Sequence, residues 1–317
     1  MQPRQDLPEG QQLQVSLLQD FAAPEGTTSV ALGFFDGFHR GHQAILAATC
    51  ESLRPVTFTF RNHPASVIQS VRMPGLLTVA AERQALLQRA GSEVVWCDFD
   101  RPFSQLSPEE FFEDILRRRL GAGRIVSGSN YRFGHKASGD VSSLRELAAP
   151  HGIEVVTVPG VEEAGELISS TRIRNCLQQG KPEEAARMLG RPYTLSARVV
   201  RGDQRGRTIG FPTANLQLAA GKLVPCYGVY ACWVLRGQSR LPAVANLGVR
   251  PTVAANQVEP LLEAHLLDFD GDLYGEPLVV ELHHFLRPEQ RFAGLDALKA
   301  QLQQDLAHAR ELLLRPA

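Results

Sequence analysis

Two histidines three residues apart, His39 and His42, close the run Gly33-Phe-Phe-Asp-Gly-Phe-His-Arg-Gly-His42. A helix starting near His39 puts both imidazoles on one face, beside free backbone N–H groups and the positive end of the helix dipole, which suits a phosphate. Gly33, Gly37 and Gly41 let the backbone take positive φ or pass close to a ligand. The pair reads equally well as two surface histidines at a helix start. Zinc is set aside, because no cysteine pair or third histidine sits at metal spacing.

Further candidates recur along the chain. Arg61-Asn-His-Pro64 follows a strand-like run and is otherwise a proline-punctuated turn. Ser127-Gly-Ser-Asn-Tyr-Arg-Phe-Gly134 carries Tyr131 and Phe133, which could bracket a flat ring or simply pack. Ile168-Ser-Ser-Thr-Arg-Ile-Arg174 opens a helix, where the hydroxyls, free N–H groups and Arg174 would hold a triphosphate; the serines are otherwise caps. In Gly202-Asp-Gln-Arg-Gly-Arg-Thr-Ile-Gly-Phe-Pro-Thr-Ala-Asn215, Thr213 and Asn215 offer neutral oxygens to one side of an extended segment, as Mg²⁺ on nucleotide phosphates requires. No Gly-Lys-Ser/Thr follows, so this is not a Walker A loop. Glu263, a carboxylate among apolar neighbours, is placed to act as general base for a substrate hydroxyl. Asp268, Asp270 and Asp272 read as an ordinary turn, with Gly271 one place early for a calcium loop.

These residues need a scaffold. From Leu13 to about Gln179, β-rich runs alternate with helix-period segments: Thr28–Phe34, Pro55–Phe60, Glu93–Cys97, Arg124–Ser127 and Ile153–Val158 each precede a helix. That alternation predicts a Rossmann-like parallel sheet covered on both faces, with ligands beyond the carboxyl ends of its strands. Gly180, Pro182, Gly190 and Pro192 break the pattern, and the domains are drawn as 1–187 and 188–317. Beyond the break, β runs at Tyr193–Val200, Tyr227–Leu235, Leu241–Leu247, Leu261–Phe269 and Leu278–Phe285 predict a small antiparallel barrel. A leucine stripe from Leu295 to Leu313 predicts a closing C-terminal helix. Glu162-Glu163 reads as solvated surface, and His283-His284 receives no role.

The 317 residues suffice for two cores, and a net charge of −1 carries no footprint for nucleic acid or an anionic membrane. Five cysteines without a Cys-x-x-Cys fit reduced thiols in a cytoplasmic protein, and no apolar run is long enough to span a bilayer. An oligomer is compatible with the sequence but not required by it.

The string His39-Arg-Gly-His42 resembles the His-x-Gly-His signature of nucleotidylyltransferases, and the whole set resembles the bifunctional riboflavin kinase/FAD synthetase family. Asn62-His-Pro64, Tyr131-Arg-Phe-Gly134 and Ser170-Thr-Arg-Ile-Arg174 match its adenylyltransferase module. Gly210-Phe-Pro-Thr-Ala-Asn215, Gly228-Val-Tyr230, Asn246 to Thr252, Glu263 and Asp272-Leu-Tyr-Gly275 match its kinase module. The resemblance implies that Glu263 deprotonates riboflavin for attack on ATP, giving FMN, with Mg²⁺ on Thr213 and Asn215 and the nucleotide along Gly202, Gly206, Gly210 and Pro212. It implies that FMN then attacks a second ATP to give FAD. There Gly33, Phe34, Asp36, His39, His42, Ser170, Thr171 and Arg174 would hold ATP, and Asn62, Asn130, Tyr131 and Phe133 the flavin. Asn130 stands where many members carry Asp. The alternatives are a chain that keeps one of the two activities, another type of nucleotidylyltransferase, or a non-catalytic flavin-binding protein.

Overall fold

The computed structural model describes residues 15–49, 52–68, 75–202, 210–251 and 258–314. By their contacts these divide into two compact units, one of residues up to 68 together with 78–169, the other of 75–77 with 170–314. Helices α6 (Ser170–Gln178) and α7 (Pro182–Leu189) fold with the second unit, α7 lying against strands of the barrel.

The first unit is built on a six-stranded sheet. Its strands are β1 (Val15–Leu17), β2 (Thr28–Leu32), β3 (Arg54–Phe60), β4 (Glu93–Cys97), β5 (Ala122–Gly128) and β6 (Glu154–Val158), in the order β1-β4-β3-β2-β5-β6 with every pairing parallel. The short edge strand β1 lies in the alternating run Leu13-Gln-Val-Ser-Leu17, outside the expected strands. Residues of opposite parity feed two cores. Val30, Leu32, Val56, Phe58 and Ile125 pack with Phe112, Leu116 and Leu144, whereas Ala31, Val94, Trp96 and Val126 pack with Ile45, Leu46 and Leu87. Period-two alternation thus buries both faces, as a sheet under helices requires.

The helices have local causes. α1 (Arg40–Ala47) follows the glycine-rich turn, α2 (Ala65–Ile68) follows Pro64, and α3 (Ala80–Arg89) begins where Glu82 Oε2 accepts from the Val79 N–H at 3.1 Å. α4 (Pro108–Glu110) opens on a capping box, the Glu110 N–H donating to Ser107 Oγ and the Ser107 N–H to Glu110 Oε2, and runs on as π-helix over Phe111–Arg119. α5 (Val141–Ala148) is capped by Asp140. A small hairpin, β7 (Glu162–Glu163) and β8 (Glu166–Leu167), occupies the stretch expected to be plain surface.

In the second unit β9 (Tyr193–Val200), β10 (Ala214–Leu218), β11 (Gly228–Arg236), β12 (Ser239–Pro251), β13 (Val258–Leu266) and β14 (Pro277–Arg287) close an antiparallel barrel in the order β10-β13-β12-β11-β14-β9. The expected runs account for five of these strands. The sixth, β10, is the extended end of the Thr213/Asn215 patch, and Leu267–Phe269 leaves the ladder as a turn in which Asp268 takes φ 56°. The closing helix α8 (Leu295–Leu314) buries Asp305 and Ala309, with Leu306 and Leu313 beside them, whereas Leu295 is 64% exposed. The half-buried Leu298, Leu302, Leu306 and Leu313 share that face, as the leucine stripe predicts, and a bidentate ion pair from Arg287 to Asp305, 2.7 Å at its shortest, ties the helix to β14.

Candidate functional site

The order of the parallel sheet reverses between β2 and β5, and in open α/β sheets ligands bind outside the carboxyl ends of the strands at such a reversal. The His39/His42 turn leaves β2 at that point, and the Ser129-Asn130 loop leaves β5. Asn130 is exposed there, and a Cβ on Gly128 would meet its Oδ1 at 3.3 Å and Ile45 Cδ1 of α1 at 3.7 Å.

His39 is the N-cap of α1, and its Nδ1 accepts from the His42 N–H at 3.3 Å. That nitrogen is therefore unprotonated, and the ring proton sits on Nε2. The two imidazoles stack with centroids 3.6 Å apart and planes 16° apart. Gly41 suits the spacing of the motif: a Cβ there would lie 3.1 Å from His39 Cε1, so a larger residue would press the ring away from the first turn.

The preceding turn is strained. Phe35 (φ 56°), Gly37 (φ 82°) and Phe38 (φ 40°) all occupy the left-handed region, which costs a bulky side chain on the order of 1–3 kcal/mol. Burial offsets this, since Phe35 is 0% and Phe38 5% exposed. Gly33 is needed because a Cβ there would come within 2.9 Å of the Phe35 ring. Asp36, expected to contact ATP, is also buried, and its Oδ1 accepts from the Thr78 N–H at 2.9 Å and the Thr78 hydroxyl at 3.2 Å.

Beneath Phe34 lies a group that sequence reasoning passed over. Arg83 on α3 is fully buried, its guanidinium 4.3 Å over Phe34 and 5.0 Å over Trp96, and it donates to the carbonyls of Phe60 at 2.7 Å and Arg61 at 3.3 Å. Burial pulls its pKa down to about 10, with Asp36 acting in the other direction. Arg83 thus ties the carboxyl ends of β2, β3 and β4 together. Its helix-interior position in Glu82-Arg-Gln offers no sequence signal.

Two flavin expectations are modified. The Asn62 amide donates to Phe99 O at 2.7 Å and accepts from Phe99 N–H at 2.9 Å, clasping the loop after β3 to the loop after β4. Tyr131 and Phe133 are near parallel, but their centroids are 6.0 Å apart. A ring held between them would need roughly 7 Å, two van der Waals separations. They do not bracket a gap: Phe133 is buried in the core beside Phe111, with Tyr131 packed on the same cluster. Arg40, inside the histidine motif, pairs with Glu163 of the hairpin at 2.6 Å.

Ser170, Thr171 and Arg174 lie in the first turns of α6, in the second unit. Arg174 is 8% exposed, and its Nε donates to Gly75 O at 3.1 Å.

In the barrel the register assembles the site. Asn215 of β10 is the direct partner of Glu263 of β13, which is also the partner of Asn246 of β12. Direct cross-strand partners point to the same face, so Asn215, Glu263 and Asn246 form one polar row. Gly202 lies against Asn215, since any Cβ there would overlap the carboxamide. His265, two residues from Glu263, donates from Nδ1 to Pro212 O at 2.7 Å and holds the Phe211-Pro212 segment. Thr213 is exposed and lines a cavity of about 640 Å³ with Pro212, Ala214, Ala264, Asp270 and Tyr274. Ala214 and Ala264 alternate with Asn215 and Glu263, so the polar row and that wall of the cavity lie on opposite faces of the strands. Gly210 takes φ 85°. Gly206 and Thr252 lie outside the described residues.

For Mg²⁺ the donor set is two neutral oxygens, Thr213 Oγ and Asn215 Oδ1. Among the described residues no cluster of three or more His, Cys, Asp or Glu could hold a metal ion. Neutral oxygens without a carboxylate cage fit an ion that arrives on nucleotide phosphates.

Family comparisons follow the same division. The FAD synthetase family model matches residues 22–172 and the riboflavin kinase model residues 189–313. The bifunctional riboflavin kinase/FMN adenylyltransferase of Escherichia coli (strain K12) is 40% identical over 304 residues, covering 93% of this chain and 96% of its own. The chain belongs to this bifunctional family. A relative of the same description from Listeria monocytogenes (serovar 1/2a) is 36% identical, covering 87% of this chain and 89% of its own. A solved structure described as a macrolide-efflux protein from Streptococcus pneumoniae superposes with a TM-score of 0.83 at 33% identity, covering 92% of this chain and 96% of that one. Among the described residues here, no helix is long and apolar enough to cross a membrane.

Proposed function

We propose that this chain phosphorylates riboflavin to FMN in its barrel half and adenylylates FMN to FAD in its parallel-sheet half, using ATP in both reactions and releasing pyrophosphate in the second. The observation that carries this reading is the presence of two arrangements suited to nucleotide phosphates, the His39/His42 turn within the stretch matched by the FAD synthetase model and the Asn215/Glu263 row within the stretch matched by the riboflavin kinase model.

In the kinase half, residues 188–317, Glu263 accepts the proton of the riboflavin 5′-hydroxyl as that oxygen attacks the γ-phosphate. Thr213 and Asn215 hold Mg²⁺, which neutralises phosphate charge when bound, and Asn215 is oriented by Gly202 behind it. Gly202, Gly210 and Pro212 contact the nucleotide.

In the adenylyltransferase half, residues 1–187, an FMN phosphate oxygen attacks the α-phosphate of ATP. No protein nucleophile is required, because positioning and charge neutralisation carry such a transfer. His39 Nε2–H and His42 supply donors at the start of α1, and Ser170, Thr171 and Arg174 bind triphosphate oxygens at the start of α6. Asn130 contacts the flavin nucleotide, while Asn62 and Phe133 support the flavin side by shaping its loops. Consumption of ATP at both sites suits a cytoplasmic enzyme.

The test is chromatography of the products formed from riboflavin, ATP and Mg²⁺, and separately from FMN, ATP and Mg²⁺. FMN followed by FAD is the expected sequence. FMN alone removes the second activity, and flavin binding without ATP turnover removes both.

A further inference from the structure

The turn between β2 and α1 holds three left-handed residues within four positions, Phe35, Gly37 and Phe38, two of them phenylalanines. Such a turn persists only where the surroundings over-determine it. Two partners come from within: the Phe38 N–H donates to Phe35 O at 3.0 Å, and Gln43 Nε2 donates to Phe38 O at 2.9 Å. Three more come from one distant residue. Thr78 gives its N–H and its hydroxyl to Asp36 Oδ1, and its Oγ accepts from the Gly37 N–H at 2.9 Å.

Thr78 stands just before α3, where a threonine ordinarily serves as a helix cap. Here Val79 holds the cap position, its N–H donating to Glu82. Thr78, one residue earlier, faces the turn instead. It is 2% exposed, so it acts on a ligand only through the loop it holds.

Resting on the adenylyltransferase reading above, we propose that Thr78 is a positioning residue for adenylyl transfer: its hydroxyl pins Asp36 and Gly37, and so fixes the direction in which α1 enters with His39 and His42. The hydroxyl bridges a carboxylate acceptor and a backbone donor on consecutive residues, a double role that valine, its near isostere, cannot fill. Serine can. Small displacements of groups that act on a reacting phosphate are felt in the rate more than in binding.

The experiment compares Thr78→Val and Thr78→Ser with the unaltered chain. Initial rates of FAD formation from FMN and MgATP are expressed per FMN-binding site, counted by quenching of flavin fluorescence. FMN formation from riboflavin is followed in the same preparations. The valine variant is expected to lose roughly ten- to a hundredfold in kcat for FAD formation, with KM for FMN little changed and FMN formation unaltered. Serine should restore kcat to near its original value. If the valine variant binds no FMN, Thr78→Ala, which lacks the same hydroxyl without a branched side chain, takes its place in the comparison. A hydroxyl-less variant with unaltered kcat overturns the proposal, and so does a serine variant as slow as valine. Failure of the unaltered chain to make FAD would instead overturn the functional reading beneath it.

Discussion

The two halves hold phosphate-directed groups by different means. In the parallel-sheet unit the histidines sit at the end of a turn of unfavourable dihedrals, kept in shape by buried phenylalanines and by polar pins from Thr78 just before α3, 41 or more residues away in sequence. In the barrel the polar row Asn215, Glu263 and Asn246 is a property of ladder register, held by backbone pairing that any residue type would make. A loop site can fail by small rearrangements of its supports, whereas a register site fails chiefly by losing the sheet or by a direct steric insult.

The largest effects should separate the two chemistries. Glu263→Gln should lower FMN formation about a thousandfold, in the range of a lost general base, and leave FAD formation from supplied FMN intact. His42→Ala should do the reverse, lowering FAD formation about a hundredfold with FMN formation unchanged. Either variant reducing both activities alike would erase the contrast between the halves. Product rates on each substrate, measured in one preparation, decide it.

Next is the anchoring of the barrel. Asp305 is 4% exposed and accepts from Arg287 and from Gln301 Nε2 at 3.0 Å, so Asp305→Ala leaves a half-buried guanidinium without its main partner. Loss of one member of a buried pair costs about 3 kcal/mol. Each unit has a tryptophan, Trp96 in the sheet and Trp233 in the barrel, and denaturant titration of a Trp96→Phe background reads the barrel through Trp233. The kcat for FMN formation per folded molecule should stay near its original value if register alone builds that site.

A smaller effect is expected of Gly202→Ala. The added methyl displaces the Asn215 carboxamide, and FMN formation should fall about tenfold while the barrel keeps its unfolding midpoint. An unaltered rate would mean that Asn215 does not need Gly202 behind it.

The smallest concerns the thiols. Burial, reinforced by Asp98 and Asp100, pushes the Cys97 thiol from an ordinary 9 up to about 12. A raised thiol pKa contributes stability that is complete below pH 9 and is lost as pH climbs toward 12. At pH 8.5 iodoacetamide should therefore leave Cys97 unlabelled in the native protein while Cys226, part-exposed in the barrel unit, reacts. Mass spectrometry of the digested protein reads both sites, and equal labelling would contradict the burial of Cys97.

Much of this was legible in the residues. Period-two runs between helix-period segments identify the parallel sheet, because a strand buried on both faces and an amphipathic helix leave different apolar spacings. Gly41 between two histidines, Ser107-Pro108 before two glutamates and Gly237 at a turn are local signals, set by sterics within a few residues. The matched motifs likewise locate both candidate sites along the chain, since each lies within a single turn or strand end. What the tertiary structure decided depends on contacts between distant segments. Tyr131 and Phe133 look free to sandwich a ring until the core claims Phe133. Arg83 and Thr78 look like an ordinary helix residue and an ordinary cap until the sheet brings them under Phe34 and Asp36. The leucines of α8 give its buried face, but that Asp305 on that face meets Arg287 of β14 is a pairing no local signal announces. Local backbone preference and side-chain periodicity are written residue by residue, but which buried polar group meets which partner is settled only when segments dozens of residues apart exclude water together.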